Sequence, residues 1–165
     1  MSIERVKSYL HQWGKDTAIQ EFAVSSATVE LAAQALGVAP ARIAKSIAFA
    51  AADGPETGCI LIVTAGDSKV NGSRFRQRFG HRATMMQPAQ TLFWTGYQVG
   101  GVCPFAIDSP EVSIYLDVSL KRFDVVFPAC GSSNSVVAMT CDELMSIAKA
   151  AGWVDIGVGW QGDGD

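Results

Sequence analysis

The sequence predicts one α+β domain built on a mixed, mostly antiparallel sheet, and three observations carry that expectation. The chain has 165 residues, 48% of them hydrophobic, enough to enclose one core without disulfide or metal staples. Strand-like runs come in hairpin-like pairs, with helical runs at uneven intervals between them, which argues against a doubly wound parallel sheet. No internal repeat, low-complexity tract or linker divides the chain. The expected organisation is a domain over 1–155 and a flexible tail over 156–165, where Gly157-Val158-Gly159-Trp160 and the Asp/Gly end carry no helix or strand signal.

Taken in order, Ile3, Val6, Leu10 and Trp13 recur at helical spacing, and Gly14 stands where a glycine would end that helix. Ile19 to Val24 alternates imperfectly, as a short half-buried strand does. Thr28 is a cap candidate ahead of an Ala/Leu-rich helix that closes at Gly37. Pro40 can open a further turn, after which Ser46 to Ala50 continues as a buried strand, so Lys45 is expected at the junction. Asp53-Gly54-Pro55 makes a hairpin loop before the β-rich run Gly58 to Thr64, and Ala65-Gly66-Asp67 makes a turn after it. Helices are expected over Asn71 to Phe79, capped by Asn71, and over Pro88 to Phe93. Val112 to Asp117, Asp124 to Pro128 and Asn134 to Met139 read as strands. Thr140 with Glu143 forms a capping box for a last helix, with Gly152 as its expected end.

A net charge of −3 excludes a protein that is basic overall, so a nucleic acid must meet a local patch. Such a patch exists. Lys69, Arg74, Arg76, Arg78 and Arg82 lie in a span with no acidic residue from Asp67 to Asp108, and they are the candidate tRNA-backbone contacts, with a solvated helix face as the alternative. The first residues lack a charged and then apolar leader, and no run approaches the ~20 apolar residues of a spanning helix. A soluble, cytoplasmic protein is therefore expected. Cys59, Cys103, Cys130 and Cys141 are widely spaced, with no paired cysteines and no histidine at zinc-ligand spacing, so neither a metal nor another cofactor is expected.

Two histidines, His11 and His81, give a conventional catalytic triad little material, and His81 reads as a surface residue. Lys45 is flanked by Ala44 and by Ile47-Ala48-Phe49, so its amine is either partly desolvated at a cavity or snorkels from a strand end into water. Gly100-Gly101 before Val102-Cys103-Pro104 can bring backbone N–H groups close to a ligand, or can be an ordinary turn. Cys130 to Asn134 is a second small-residue loop. Cys103 invites a thiolate mechanism, but no histidine stands near it in sequence to activate it.

Thr28-Val29-Glu30-Leu31-Ala32-Ala33 through Leu36-Gly37-Val38, followed by Ile43-Ala44-Lys45-Ser46-Ile47, resembles the signature of the YbaK/ProX-type aminoacyl-tRNA deacylases. Ala65-Gly66-Asp67 with Lys69-Val70, Thr95 to Pro104, and Ala129 to Asn134 resemble that family's later blocks in the same order, so the likeness covers about residues 20–150. The resemblance implies a mixed sheet curled around a small pocket, and hydrolysis of the ester of a mischarged tRNA after its release from a synthetase. It implies Lys45, Gly100 and Gly101 as catalytic residues. Cys103, Pro104, Gly131 and Ser132 or Ser133 would bind substrate, with Phe22, Ile47 and Val102 as apolar lining candidates. At Cys103 many relatives carry serine. An activated ester needs positioning, a water and a site for the oxyanion, not a triad. The partners expected are mischarged tRNA and an aminoacyl-tRNA synthetase; the alternative is a non-catalytic tRNA- or synthetase-binding module.

Overall fold

A computed structural model describes residues 2–23 and 28–161. Helix α1 (Ser2–Leu10) buries Val6 and Leu10 completely and passes into a 3-10 turn, His11–Trp13, closed by Gly14 in the left-handed conformation. The tighter winding swings Trp13 off the buried face, so the last member of the expected stripe is exposed. Strand β1 (Ile19–Glu21) is shorter than the expected run, whose last residue, Val24, lies outside the described residues. Helix α2 (Val29–Leu36) begins at Thr28, whose hydroxyl accepts the Leu31 N–H, and ends at left-handed Gly37.

A 3-10 turn with Pro40 in its first position delivers the chain into β2 (Ile43–Ala50). The strand starts before the junction expected from sequence, so Lys45 is its third residue. An antiparallel ladder joins β2 to β3 (Cys59–Ala65), pairing Lys45 with Thr64 and Ser46 with Val63. Beyond it lie β4 (Lys69–Val70), α3 (Gly72–Phe79) and α4 (Pro88–Thr95). The Asn71 side chain caps α3 by accepting the Arg74 N–H at 2.9 Å. Next come β5 (Val112–Asp117), β6 (Phe127–Pro128), β7 (Ser135–Val137) and α5 (Cys141–Ile147) with its Thr140–Glu143 capping box, then β8 (Gly152–Val154) and β9 (Gly157–Val158).

The main sheet has the order β6-β2-β3-β5-β8. Its longest ladder, β2 with β3, is antiparallel, as are the small ribbons β1-β7 and β4-β9, but the other three joints of the main sheet are parallel. The expected class is observed, with the antiparallel pairing concentrated in one hairpin and two ribbons. One face packs Ala44, Ala48, Leu61, Val63 and Leu116 against Val6 and Leu10 of α1 and Leu144 and Ile147 of α5. On the other face, Phe49, Ile60 and Ile62 meet Phe75 of α3. Ala32 and Ala33 of α2 close one end over Ile43, Phe127 and Val136.

Two expectations are corrected. Gly152 does not end α5, which stops at Ile147; Gly152 instead opens β8 on the edge of the main sheet. The segment 156–161 is not a free tail. The carboxylate of Asp117, fully buried, accepts the N–H groups of Ile156 and Gly157 at 2.9 and 3.0 Å and that of Ser119 at 3.1 Å, which ties β9 to the end of β5. Arg122 then bonds both carboxylate oxygens of Asp67, at 3.0 and 2.6 Å, with its guanidinium over the Trp160 ring. Residues 162–165 of the expected tail lie outside the described residues.

Candidate active site

The outer edge of β2 is covered in two separate places. Pairing with β6 ends at Ala44. Farther along, Met86 N–H donates to the Ala48 carbonyl and Ala50 N–H to the Thr84 carbonyl, each at 2.9 Å. Between these patches the edge has no backbone partner among the described residues. A cavity of about 320 Å³ opens there. It is lined by Ile43 to Ala48 of β2, by Thr28, Val29 and Ala32 at α2, by Phe127, Ala129, Ser135 and Val136, by Met85, Met86 and Thr91, and by Val99, Gly100 and Val102. A second hollow between Pro55-Glu56 and α4 contains none of the candidate residues.

Lys45 lies at the cavity and is half-buried, with no hydrogen bond or ion pair to its amine among the described residues. Its pKa is held below the ordinary lysine value, first by burial and then by the nearby Lys69 cation, with Asp67 and Glu30 opposing. Its side chain leaves β2 on the face of Ile47 and Phe49, the side covered by α3, whereas Ala44, Ser46 and Ala48 turn to the opposite face.

Gly100 lines the cavity at φ +100°, a conformation strained for any residue with a side chain. Gly101 does something different. Its N–H donates to the Gln98 carbonyl at 3.0 Å, and a Cβ on it would stand 2.9 Å from the Gly131 carbonyl carbon and from the Ser132 nitrogen. The two small-residue loops are therefore in backbone contact, with Gly101 as the contact point. Gly131 is buried, and the Ser132 hydroxyl is shared with Asn134 and Ser135, of which Ser135 reaches the cavity. Among the other candidates, Ile47 and Val102 line the cavity; Phe22, Cys103, Pro104 and Ser133 are not among its lining residues. The Phe22 N–H donates to the Asn134 carbonyl and the Asn134 side-chain amide donates to the Phe22 carbonyl, each at 2.8 Å, which ties the second loop to the end of β1.

Cys103 is fully buried, and burial pushes its thiol up to about 12, so thiolate is scarce at neutral pH. The folded protein is expected to keep its activity after treatment with iodoacetamide; stoichiometric modification of Cys103 with loss of activity, read by peptide mass, would contradict this. His81 is not a free surface histidine: its Nε2 lies 3.0 Å from the Ala50 carbonyl. The basic span is divided. Arg74 pairs with Asp155 at 3.2 Å and Arg78 lies over the Phe79 and Tyr115 rings, while Lys69, Arg76 and Arg82 are exposed and make no ion pair among the described residues.

Sequence reasoning missed Met85, Met86, Thr91, Phe127 and Val136, because their neighbours in space come from distant parts of the chain. Among the described residues, no helix is long and apolar enough to cross a membrane.

A family model described as an aminoacyl-tRNA editing domain matches residues 24–147. Over 162 residues the chain is 46% identical to the uncharacterized protein YwhH of Bacillus subtilis (strain 168), across 98% of this chain and 100% of that protein. A solved structure described provisionally as a trans-editing enzyme for prolyl-tRNA synthetase is 27% identical with a TM-score of 0.83, covering 96% of this chain and 98% of that one. A scaffold used for computational epitope grafting is 26% identical, also with a TM-score of 0.83, over 96% and 97% of the two chains.

Proposed function

Because this chain belongs to the aminoacyl-tRNA editing domain family, of the YbaK type, we propose that it is a trans-acting deacylase that hydrolyses the ester of a tRNA mischarged with a small amino acid. Alanine and cysteine are the first candidates for that amino acid and the tRNA for proline the first candidate for the carrier, with a synthetase as the source of substrate. The observation that supports it most is the half-buried, unpaired Lys45 at the rim of a small, mainly apolar cavity beside an open strand edge.

In this reading the Lys45 ammonium holds the phosphate oxygens of the terminal nucleotide or the ester carbonyl oxygen as it gains negative charge, and the Gly100 loop faces the reacting carbonyl. Water adds to the carbonyl carbon, the bond from that carbon to the ribose oxygen breaks, and the ribose oxygen leaves with a proton from the water. The products are the free amino acid and uncharged tRNA. Removing the charge of Lys45 by pH should act as removing the residue does. Since its pKa is depressed, the ammonium is present at low pH and is lost as pH rises through a value below that of an ordinary lysine. The alkaline limb of kcat/KM, corrected for uncatalysed ester hydrolysis, should move to higher pH in Lys69→Met, because a repelling cation is gone. A limb that stays in place or moves down contradicts the assignment.

The exposed, unpaired Lys69, Arg76 and Arg82 favour tRNA-backbone contact and would serve equally a protein that binds tRNA without cleaving it. Turnover separates the two readings: salt-sensitive tRNA binding with no deacylation across a full panel selects the binding module.

A further inference from the structure

Ser46 occupies the open stretch of β2, and its orientation follows from its neighbours. The Ala48 carbonyl and the Ala50 N–H both point to the outer edge, where they meet Met86 and Thr84. Alternate residues of a strand send their backbone groups to the same edge, so the N–H and C=O of Ser46 also point outward, into the gap between Ala44 and Ala48. Ser46 lines the cavity and is partly exposed, yet its hydroxyl oxygen is buried without a partner among the described residues. What it presents to the cavity is main chain and Cβ. An unpaired strand edge is a template for one more hydrogen-bonded residue.

We propose that the backbone of Ser46 is the docking point for the aminoacyl group, its N–H donating to the ester carbonyl oxygen and its C=O accepting from the α-ammonium. This inference rests on the deacylase reading and names a part of that site. An aminoacyl ester carries one amino nitrogen and one carbonyl on the same α-carbon, the pair of groups that one residue of an antiparallel strand exchanges with its opposite number. The match requires no side-chain recognition. Two facts support it further. A developing oxyanion needs donors aimed at it; the Gly101 N–H is committed to Gln98, whereas the outward N–H groups of Ser46 and Ala48 belong to cavity-lining residues and have no backbone partner among the described residues. Of the two residues, only Ser46 also keeps its outward carbonyl free among the described residues, that of Ala48 being taken by Met86. In an opposed pair the side chains share a face, so the substrate side chain would lie beside Ser46, flanked by Ala44 and Ala48, where small neighbours leave room for a small group.

The test removes the N–H and keeps the serine side chain. The α-hydroxy analogue of serine is incorporated at position 46, converting the Lys45–Ser46 amide into an ester, and single-turnover deacylation is measured at saturating enzyme on tRNAs charged with alanine, cysteine or serine. The expected result is a fall of about 10²-fold in the rate constant with little change in half-saturation, because the lost donor acts on the charge that develops during reaction. Ser46→Pro also deletes the N–H, at an edge where no acceptor among the described residues loses a bond, and should show the same loss. If it fails to fold, the ester protein alone decides. A rate within about threefold of the all-amide protein overturns this inference and leaves the deacylase reading intact. Absence of turnover by the all-amide protein on every tRNA overturns both.

Discussion

Lys45→Ala is expected to lower deacylation by about 10²–10³-fold in kcat/KM while leaving the fold intact, since a positioned charge in a water-poor site is worth that much to a developing negative charge. The argument has two halves. The ammonium sits half-buried with no acceptor of its own among the described residues, so the protein bears a desolvation cost that Asp67 and Glu30 offset only in part and a bound anion would relieve further. Its removal should therefore leave the melting temperature unchanged or raised, whereas a lysine that served the fold would take stability with it. A loss of activity with a fall of more than about 5 °C would point to a structural role instead.

Gly101→Ala is the second large effect. The added methyl meets main-chain atoms of Gly131 and Ser132, not the yielding end of a side chain, so the loops must part. The expected cost is about 1–3 kcal/mol of stability, as for other overpacked sites. Activity should fall about 10–100-fold, because separating the loops displaces Gly100 and Ser135 at the cavity, and displacements near 1 Å are costly to reacting geometry. Denaturant unfolding and deacylation of the same preparation measure both numbers. Unchanged stability together with unchanged activity would show that the loops are not held in register at this contact.

Much of the local structure was legible because it is written in adjacent residues. The caps at Thr28, Asn71 and Thr140 and the left-handed closures at Gly14 and Gly37 depend on side chains and glycines within a turn of where they act. What failed depends on distant partners. Lys45 moved from a junction into a strand because Ile43 and Ala44 pair with Phe127 and Pro128. Residues 156–161 became part of the domain because the buried Asp117 needs the amides of Ile156 and Gly157 to satisfy its carboxylate. Gly152 looked like a helix end, but the chain had already left the helix at Ala148 and opened a strand against Tyr115.

The candidate site divides the same way. Lys45 and the Gly100 loop could be picked out by residue type and by resemblance. Gly101, by contrast, has its amide in a turn and lies against Gly131 and Ser132 where a side chain would stand. Cys103, conspicuous in the sequence, is sealed from the cavity side with Tyr97 beside it. Ser46 drew no notice, since a serine in a strand carries no signal until the gap in the sheet beside it is seen.

The most direct measurement is deacylation of a panel of mischarged tRNAs, led by alanyl- and cysteinyl-tRNA for proline, by wild-type protein and Lys45→Ala side by side. The account predicts release of small amino acids by the wild type and near-complete loss in the variant. Equal hydrolysis by both proteins would contradict it at Lys45, and tRNA binding without any hydrolysis would contradict it as an enzyme.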